Sequence, residues 1–317
     1  VLEEGGHIAE IFDKKSGINP LWIPPWPSIE PSMYDPRKHP EYGGGADAKL
    51  LCGIMGHNLC LDIFGGPSEA EFEAGITPHG EGSVVQYDIA EVNGELQLQA
   101  HLPLAQIRFQ RRIALRNGTV TIKESIESLC AFDRAIGWTQ HVTLGPPFLK
   151  KGVTQFRSSA GQSKVFEQEF GTAAYLKTGA EFQWPMAPRS DEGIADLQMF
   201  TDAEVSSSYT AHLMGASRED AFFVAFSPPL QLAFGYTWKR SDFPWMGIWE
   251  ENHSRTNAPW NGRTLARAME FGVSPMPESR REMVSRARLF GVPTYRWVPA
   301  RSRIAVQYDA FIKHDSP

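Results

Sequence analysis

The stretch AQIRFQRRIALRNGTVTIKESIESL, residues 105–129, decides the fold. Apolar and polar residues alternate on both sides of Asn117-Gly118, as expected of strands with one buried face. Asn-Gly between two such runs is the strongest short-range hairpin signal, because both turn positions must take positive φ. A second pair, Asn93-Gly94, separates SVVQYDIAEV from ELQLQAHL in the same way. Further candidate strands follow at 138–144, 209–214, 221–226, 230–238, 245–250, 264–271 and 304–311. The only helix candidate is the short PESRREMVSRA at 277–287. Many strands with turn signals between them, and almost no helical periodicity, predict an all-β antiparallel sandwich or barrel.

A chain of 317 residues could hold two average domains, but large all-β sandwiches reach this size as single units. No repeat or linker composition divides it, so a single domain over 1–317 is expected. The segment NPLWIPPWPSIEPSMYDPRKHPEYGGG, residues 19–45, reads as a long irregular loop. Its aromatics, in place of Ser and Lys, predict an ordered loop folded over the sheet.

Apolar residues make up 42% and charged residues 21%, the composition of a folded soluble chain, and no apolar run approaches the roughly 18 residues of a membrane span. A net charge of −6 and a pI near 5.9, without a basic cluster, give no footprint for nucleic acid or anionic lipid. A neutral small molecule is the natural partner. Cys52, Cys60 and Cys130 are odd in number and lack a CxxC pair, so buried thiols are expected, with no disulfide or cysteine zinc site. The chain begins at Val1 without an initiator Met, which leaves the compartment open between the cytoplasm and, if a signal peptide was removed, the periplasm or the exterior.

Four stretches could carry chemistry. In ITPHGEGS (76–83), His79 and Glu81 would share a face if extended, but Pro78 and the glycines favour a turn; a polar turn with a surface histidine and a binding site are both open. In GWTQHVTLGPPF (137–148), alternation sets Thr139, His141 and Thr143 on one face, and His141 is either a hydrogen-bonded core residue or a proton carrier. In SDFPWMGIWEENH (241–253), Trp245, Gly247 and Trp249 share a face that either fills a core or stacks on a sugar ring, with Asp242, Glu250 and Asn252 near enough to bind hydroxyls. In ARAMEFG (266–272), Glu270 lies with Ala266, Ala268 and Gly272, opposite Arg267, Met269 and Phe271. It is either a solvent-facing carboxylate or one at the floor of a concave site.

In this order the segments resemble the galactose mutarotase-like superfamily, which includes the aldose 1-epimerases and hexose-6-phosphate epimerases. GHNLCLDIFGG (56–66) is similar to the segment ending in Cys-Trp-Pro-Trp-Phe-Gly, with Cys60, Phe64 and Gly65 matching. PHGEG resembles the His-Gly motif, TQHVTLG the strand of the second histidine, MGIWEEN the Val-Trp-Asn-Pro-Trp strand through Trp249, and ARAMEFG the strand of the catalytic glutamate. The likeness implies a β-supersandwich whose concave face holds a sugar. It implies Glu270 as base and His141 as acid, on opposite sides of a pyranose. His79 and His57 would bind ring hydroxyls, Trp249 would form a stacking wall, and Ala268 and Gly272 would leave room for the ring. No cofactor and no metal are implied. Where the hexose-6-phosphate branch carries arginines, this chain has Ser83 and no counterpart near 53–57, which favours a free sugar over a phosphorylated one. Val142-Thr143-Leu144 replaces the galactose-type Tyr-Phe-Asn, and Asp242 is the nearest candidate for the sugar-binding Asp.

The implied reaction is interconversion of α and β anomers by ring opening. One rival is a non-catalytic carbohydrate-binding protein on the same scaffold. Another is a polysaccharide-cleaving enzyme, in which Glu250 or Glu251 would pair with Glu270 across the scissile bond.

Overall fold

A computed structural model describes residues 1–314. Both Asn-Gly pairs are hairpin turns with positive φ at each position, 55° and 76° at Asn93 and Gly94 and 50° and 77° at Asn117 and Gly118. They join the first four strands of one eight-stranded sheet: Asp88–Val92, Glu95–Leu102, Ile107–Arg116 and Thr119–Ser128, followed in space by Arg303–His314, Leu232–Lys239, Asp220–Ser227 and Gln155–Ser158. The other eight-stranded sheet runs His57–Asp62, Arg134–Leu144, Leu265–Gly272, Trp245–Asn252, Ser206–Met214, Ala160–Val165 and Glu181–Gln183, with Arg296–Val298 also paired to Arg134–Leu144. Both sheets are antiparallel, the sandwich expected from the sequence.

The two sheets bury different amounts of themselves, and the sequence shows why. Ile107–Arg116 alternates buried and exposed positions, its Ile107, Phe109 and Ile113 turned inward and its outer face in water. Trp245–Asn252 is buried at every position, because its sheet is covered on both sides. Inward, Trp138, Val142, Ile248, Met269 and Phe271 meet the hairpin sheet, and Phe271 stacks on Trp238 with ring centroids 4.3 Å apart. Burying each such side chain stabilises the fold by roughly 1.5–3 kcal/mol. Outward, Tyr209, Trp245, Trp249 and Ala268 pack under the 19–45 loop through Trp22 and Trp26, and under the short helix Ala48–Leu51. The loop is ordered over the sheet, with short 3-10 turns at Pro31–Met33 and Pro40–Tyr42.

The expected helix forms at Arg280–Arg286, started by a capping box in which Ser279 accepts from Glu282 N and the Glu282 carboxylate accepts from Ser279 N. Among the described residues no helix is long and apolar enough to cross a membrane. All three cysteines are buried and unpaired, as expected.

Candidate functional site

Antiparallel register brings Glu270 directly opposite His141 on one flank and Gly247 on the other. Directly opposed residues point to the same face, here the outward one. His141 Nε2 lies 2.9 Å from Glu270 Oε1, and its Nδ1 lies 3.0 Å from Thr143 Oγ1. With the proton on Nε2, His141 donates to the carboxylate and accepts the Thr143 hydroxyl, so the ring is held from both sides. Glu270 is 1% exposed, and it does not face bulk solvent.

The dyad forms the floor of a cavity of about 250 Å³. Its walls include His79, Trp249, Tyr209 and Phe64, and its roof comes from Trp22, Leu50, Leu51 and Ile54 of the covering segment and Trp260 of the loop after the Trp249 strand. The volume lies just under the roughly 300–1,000 Å³ of clefts that hold drug-sized ligands, room for one group the size of a sugar ring.

His79 reaches the cavity from a strained turn. Its φ of 65° is the left-handed region, fixed by Leu61 N donating to His79 O at 2.9 Å and His79 N donating to Gly65 O at 3.2 Å. Its ring lies 4.9 Å from that of His141, and its Nδ1 is buried without a protein partner. Burial, and then the neighbouring His141 and His7, hold the His79 pKa well below the ordinary histidine range, so the ring is neutral. Burial and the nearby Glu270 carboxylate push the Tyr209 phenol up; it stays protonated and donates to Pro275 O at 2.9 Å.

The small residues beside Glu270 serve a purpose other than the one expected. A Cβ on Gly272 would stand 2.3 Å from Thr139 Oγ1, and one on Gly247 2.2 Å from Tyr209 Oη and 3.1 Å from Glu270 Oε2. Gly272 is therefore filled by Thr139, Ala268 packs in the apolar layer, and Gly247 makes room for the Tyr209 hydroxyl, which stands beside the carboxylate.

Glu270, His141, His79 and Trp249 converge on the cavity; two other candidates do not. His57 stands opposite Val142, which turns it to the inter-sheet face, where its ring nitrogens bond Tyr236 Oη at 3.0 Å and Gln140 Oε1 at 2.9 Å. It is a core histidine. Asp242 lies in the turn before the Trp249 strand and borders a groove on the outer face of the hairpin sheet, with Arg303 and Lys239. The carboxylates proposed for bond cleavage are committed elsewhere. Glu250 points inward to Arg267 Nη2 at 2.8 Å, and Glu251 accepts from Ser254 N, Ser254 Oγ and Arg255 N. Glu270 and His141 also lie side by side in direct contact, which does not match the expected placement on opposite sides of a ring.

Sequence reading passed over Asp47 and Arg255, which both line the cavity. Neither lies on a strand, so periodicity offers nothing; the one available signal is an arginine between Trp249 and Trp260. Among the described residues no group of three or more His, Cys, Asp or Glu is arranged to hold a metal ion.

No family model matches the sequence, and no curated protein matches it. Solved structures are similar in fold. A Klebsiella pneumoniae protein provisionally named an aldose 1-epimerase is 10% identical with a TM-score of 0.65, over 95% of this chain and 73% of that one. A galactose mutarotase-like protein from Clostridium acetobutylicum is 11% identical at 0.62, over 98% and 90%. One from Lactobacillus casei is 10% identical at 0.57, over 99% and 96%. Identities this low speak for architecture alone, and at that level the resemblance in the sequence holds: the chain has the galactose mutarotase-like fold.

Proposed function

We propose that the protein is an aldose 1-epimerase-like mutarotase, interconverting the α and β anomers of a free, non-phosphorylated sugar. The observation that carries this is the 2.9 Å contact between Glu270 and His141 at the floor of a one-ring cavity. Opening a pyranose removes a proton from the C1 hydroxyl and delivers one to the ring oxygen, and both oxygens are bonded to the same carbon. An acid and a base in contact on neighbouring strands suit that task better than a pair on opposite sides of the ring. Glu270 takes the hydroxyl proton while His141, entering the step as the imidazolium, gives one proton to the ring oxygen and is left neutral; the C1–C2 bond of the open aldehyde rotates, and closure on the other face reverses both transfers. Neutral His79, on the cavity wall, hydrogen-bonds a ring hydroxyl, and Trp249 offers a flat wall to the C–H face of the sugar.

Further support comes from fold neighbours named as mutarotase-like or epimerase proteins. The committed state of Glu250 and Glu251 counts against chain cleavage, and the paired acid and base favour catalysis over binding alone. The test is anomer exchange of several aldoses followed by saturation-transfer NMR. The wild type should exchange well above the buffer rate and Glu270→Gln should not; a wild-type rate no faster than buffer for every aldose would end the enzyme reading.

A further inference from the structure

We propose that Asp47 and Arg255 form a clamp for two adjacent hydroxyls of the bound sugar, so that the site takes a neutral monosaccharide and discriminates against acidic ones. That the ligand is a sugar rests on the mutarotase reading; the clamp itself rests on the state of these side chains. The Arg255 guanidinium carbon lies 4.7 Å from the Trp260 ring, 5.5 Å from Trp249 and 5.8 Å from Phe170. Aromatic contacts cover its flat faces and leave its N–H edge. Nε stands 3.5 Å from Glu251, and among the described residues neither Nη atom donates to a protein acceptor. Burial outweighs both nearby carboxylates and lowers the Arg255 pKa from its ordinary value, the sign of a guanidinium short of partners.

Asp47 is the complement. It sits at the start of Ala48–Leu51 but its side chain caps nothing, and it makes no ion pair among the described residues. A donor fork and an acceptor thus line one cavity, each with spare capacity, and do not meet. A vicinal diol satisfies both: one hydroxyl donates to Asp47 while the oxygens accept from Arg255. Trp249 touches both His141, at 5.9 Å between ring centroids, and Arg255. The clamp therefore stands about one ring away from the dyad, placed for hydroxyls remote from the anomeric carbon.

Charge decides the class. Glu270 and Asp47 line the cavity with Arg255 as its one guanidinium, and Glu251 stands behind Arg255. A further carboxylate or phosphate would enter a site already rich in negative charge.

The test is calorimetric titration of wild type, Glu270→Gln, Arg255→Met and Asp47→Asn with glucose, galactose, glucuronate and glucose 6-phosphate, beside anomer-exchange kinetics. The expected result is that Glu270→Gln still binds the neutral sugars, that Arg255→Met and Asp47→Asn each bind them about 10–100-fold more weakly, and that the acidic sugars bind more weakly than their parents. Asp47 is partly exposed and packs little, so Asp47→Asn keeps the test alive if Arg255→Met fails to fold. Unchanged affinity and KM in both variants would overturn the clamp and leave the mutarotase reading standing. Tighter binding of an acidic sugar than of its parent would overturn it too, and would make Arg255 an anion anchor. Clamp-dependent binding without exchange would remove the mutarotase reading alone.

Discussion

The two sides of the Glu270 sheet meet polar clusters of nearly the same residue types and put them to different uses. On the inner face, Arg111 donates to Glu124 at 2.8 Å and to Gly6 O at 2.8 Å; Glu124 accepts from Trp138, Gln140 and Tyr308; and Gln140 and Tyr236 hold His57. One Arg111 nitrogen is the atom of this network left without a partner. On the outer face the Arg255 Nη atoms and the Asp47 carboxylate, both partly exposed, make no hydrogen bond among the described residues and border a cavity with His79. Residue type does not separate a structural network from a site. Access does: the inner polar groups are sealed among one another between the sheets, whereas the outer ones border a cavity that a ligand can enter.

The contrast predicts that substitutions on the two faces fail differently. His141→Asn should reduce anomer exchange by about 10²–10⁴-fold while the thermal midpoint stays near that of the wild type; a large fall in the midpoint instead would make His141 a second structural histidine. Glu124→Leu strands Arg111 and three further donors inside the sandwich, and should lower stability in urea unfolding by about 3–5 kcal/mol with exchange per folded molecule unchanged.

A third effect is graded with pH. Burial lowers His7 from 6.5 to about 4 and His212 from 6.5 to about 3. Between pH 6.5 and about 5 the unfolded chain protonates these histidines and the folded chain does not, so the unfolded state binds more protons and stability rises with pH across that window. His212→Asn should reduce the slope of unfolding free energy against pH by up to about 1.4 kcal/mol per unit; an unchanged slope would show that His212 protonates alike in both states. Smallest of all is Asp242→Asn, on the outer groove of the other sheet, which should leave kcat/KM within about twofold. A larger loss would bring Asp242 back to the sugar.

The strands were legible where one face is wet. Alternation marks Glu95–Leu102 and Ile107–Arg116, and the Asn-Gly turns fix their register. His57 shows the limit, since its strand HNLCLD is buried at all six positions and a strand covered on both sides has no alternation from which to read a face. The short, polar Gln155–Ser158 and Ala160–Val165 gave no periodic signal at all. Of the site, Glu270, His141, His79 and Trp249 were legible through ordered motifs. Asp47 and Arg255 were not, because loops converge on a cavity by tertiary packing that no local pattern encodes.

Glu270 meets His141 because the chain pairs those two residues across adjacent strands. Deleting or inserting one residue between His141 and Leu144, or between Arg267 and Glu270, would rotate one member of the dyad into the hydrophobic interior while leaving the strands able to pair. Length change is therefore open to the segments above the sheet, such as the one carrying Trp22 and Asp47, and closed to the strands beneath. A lineage built on this arrangement is free to remodel the walls and roof of its cavity far more readily than the paired residues at its floor.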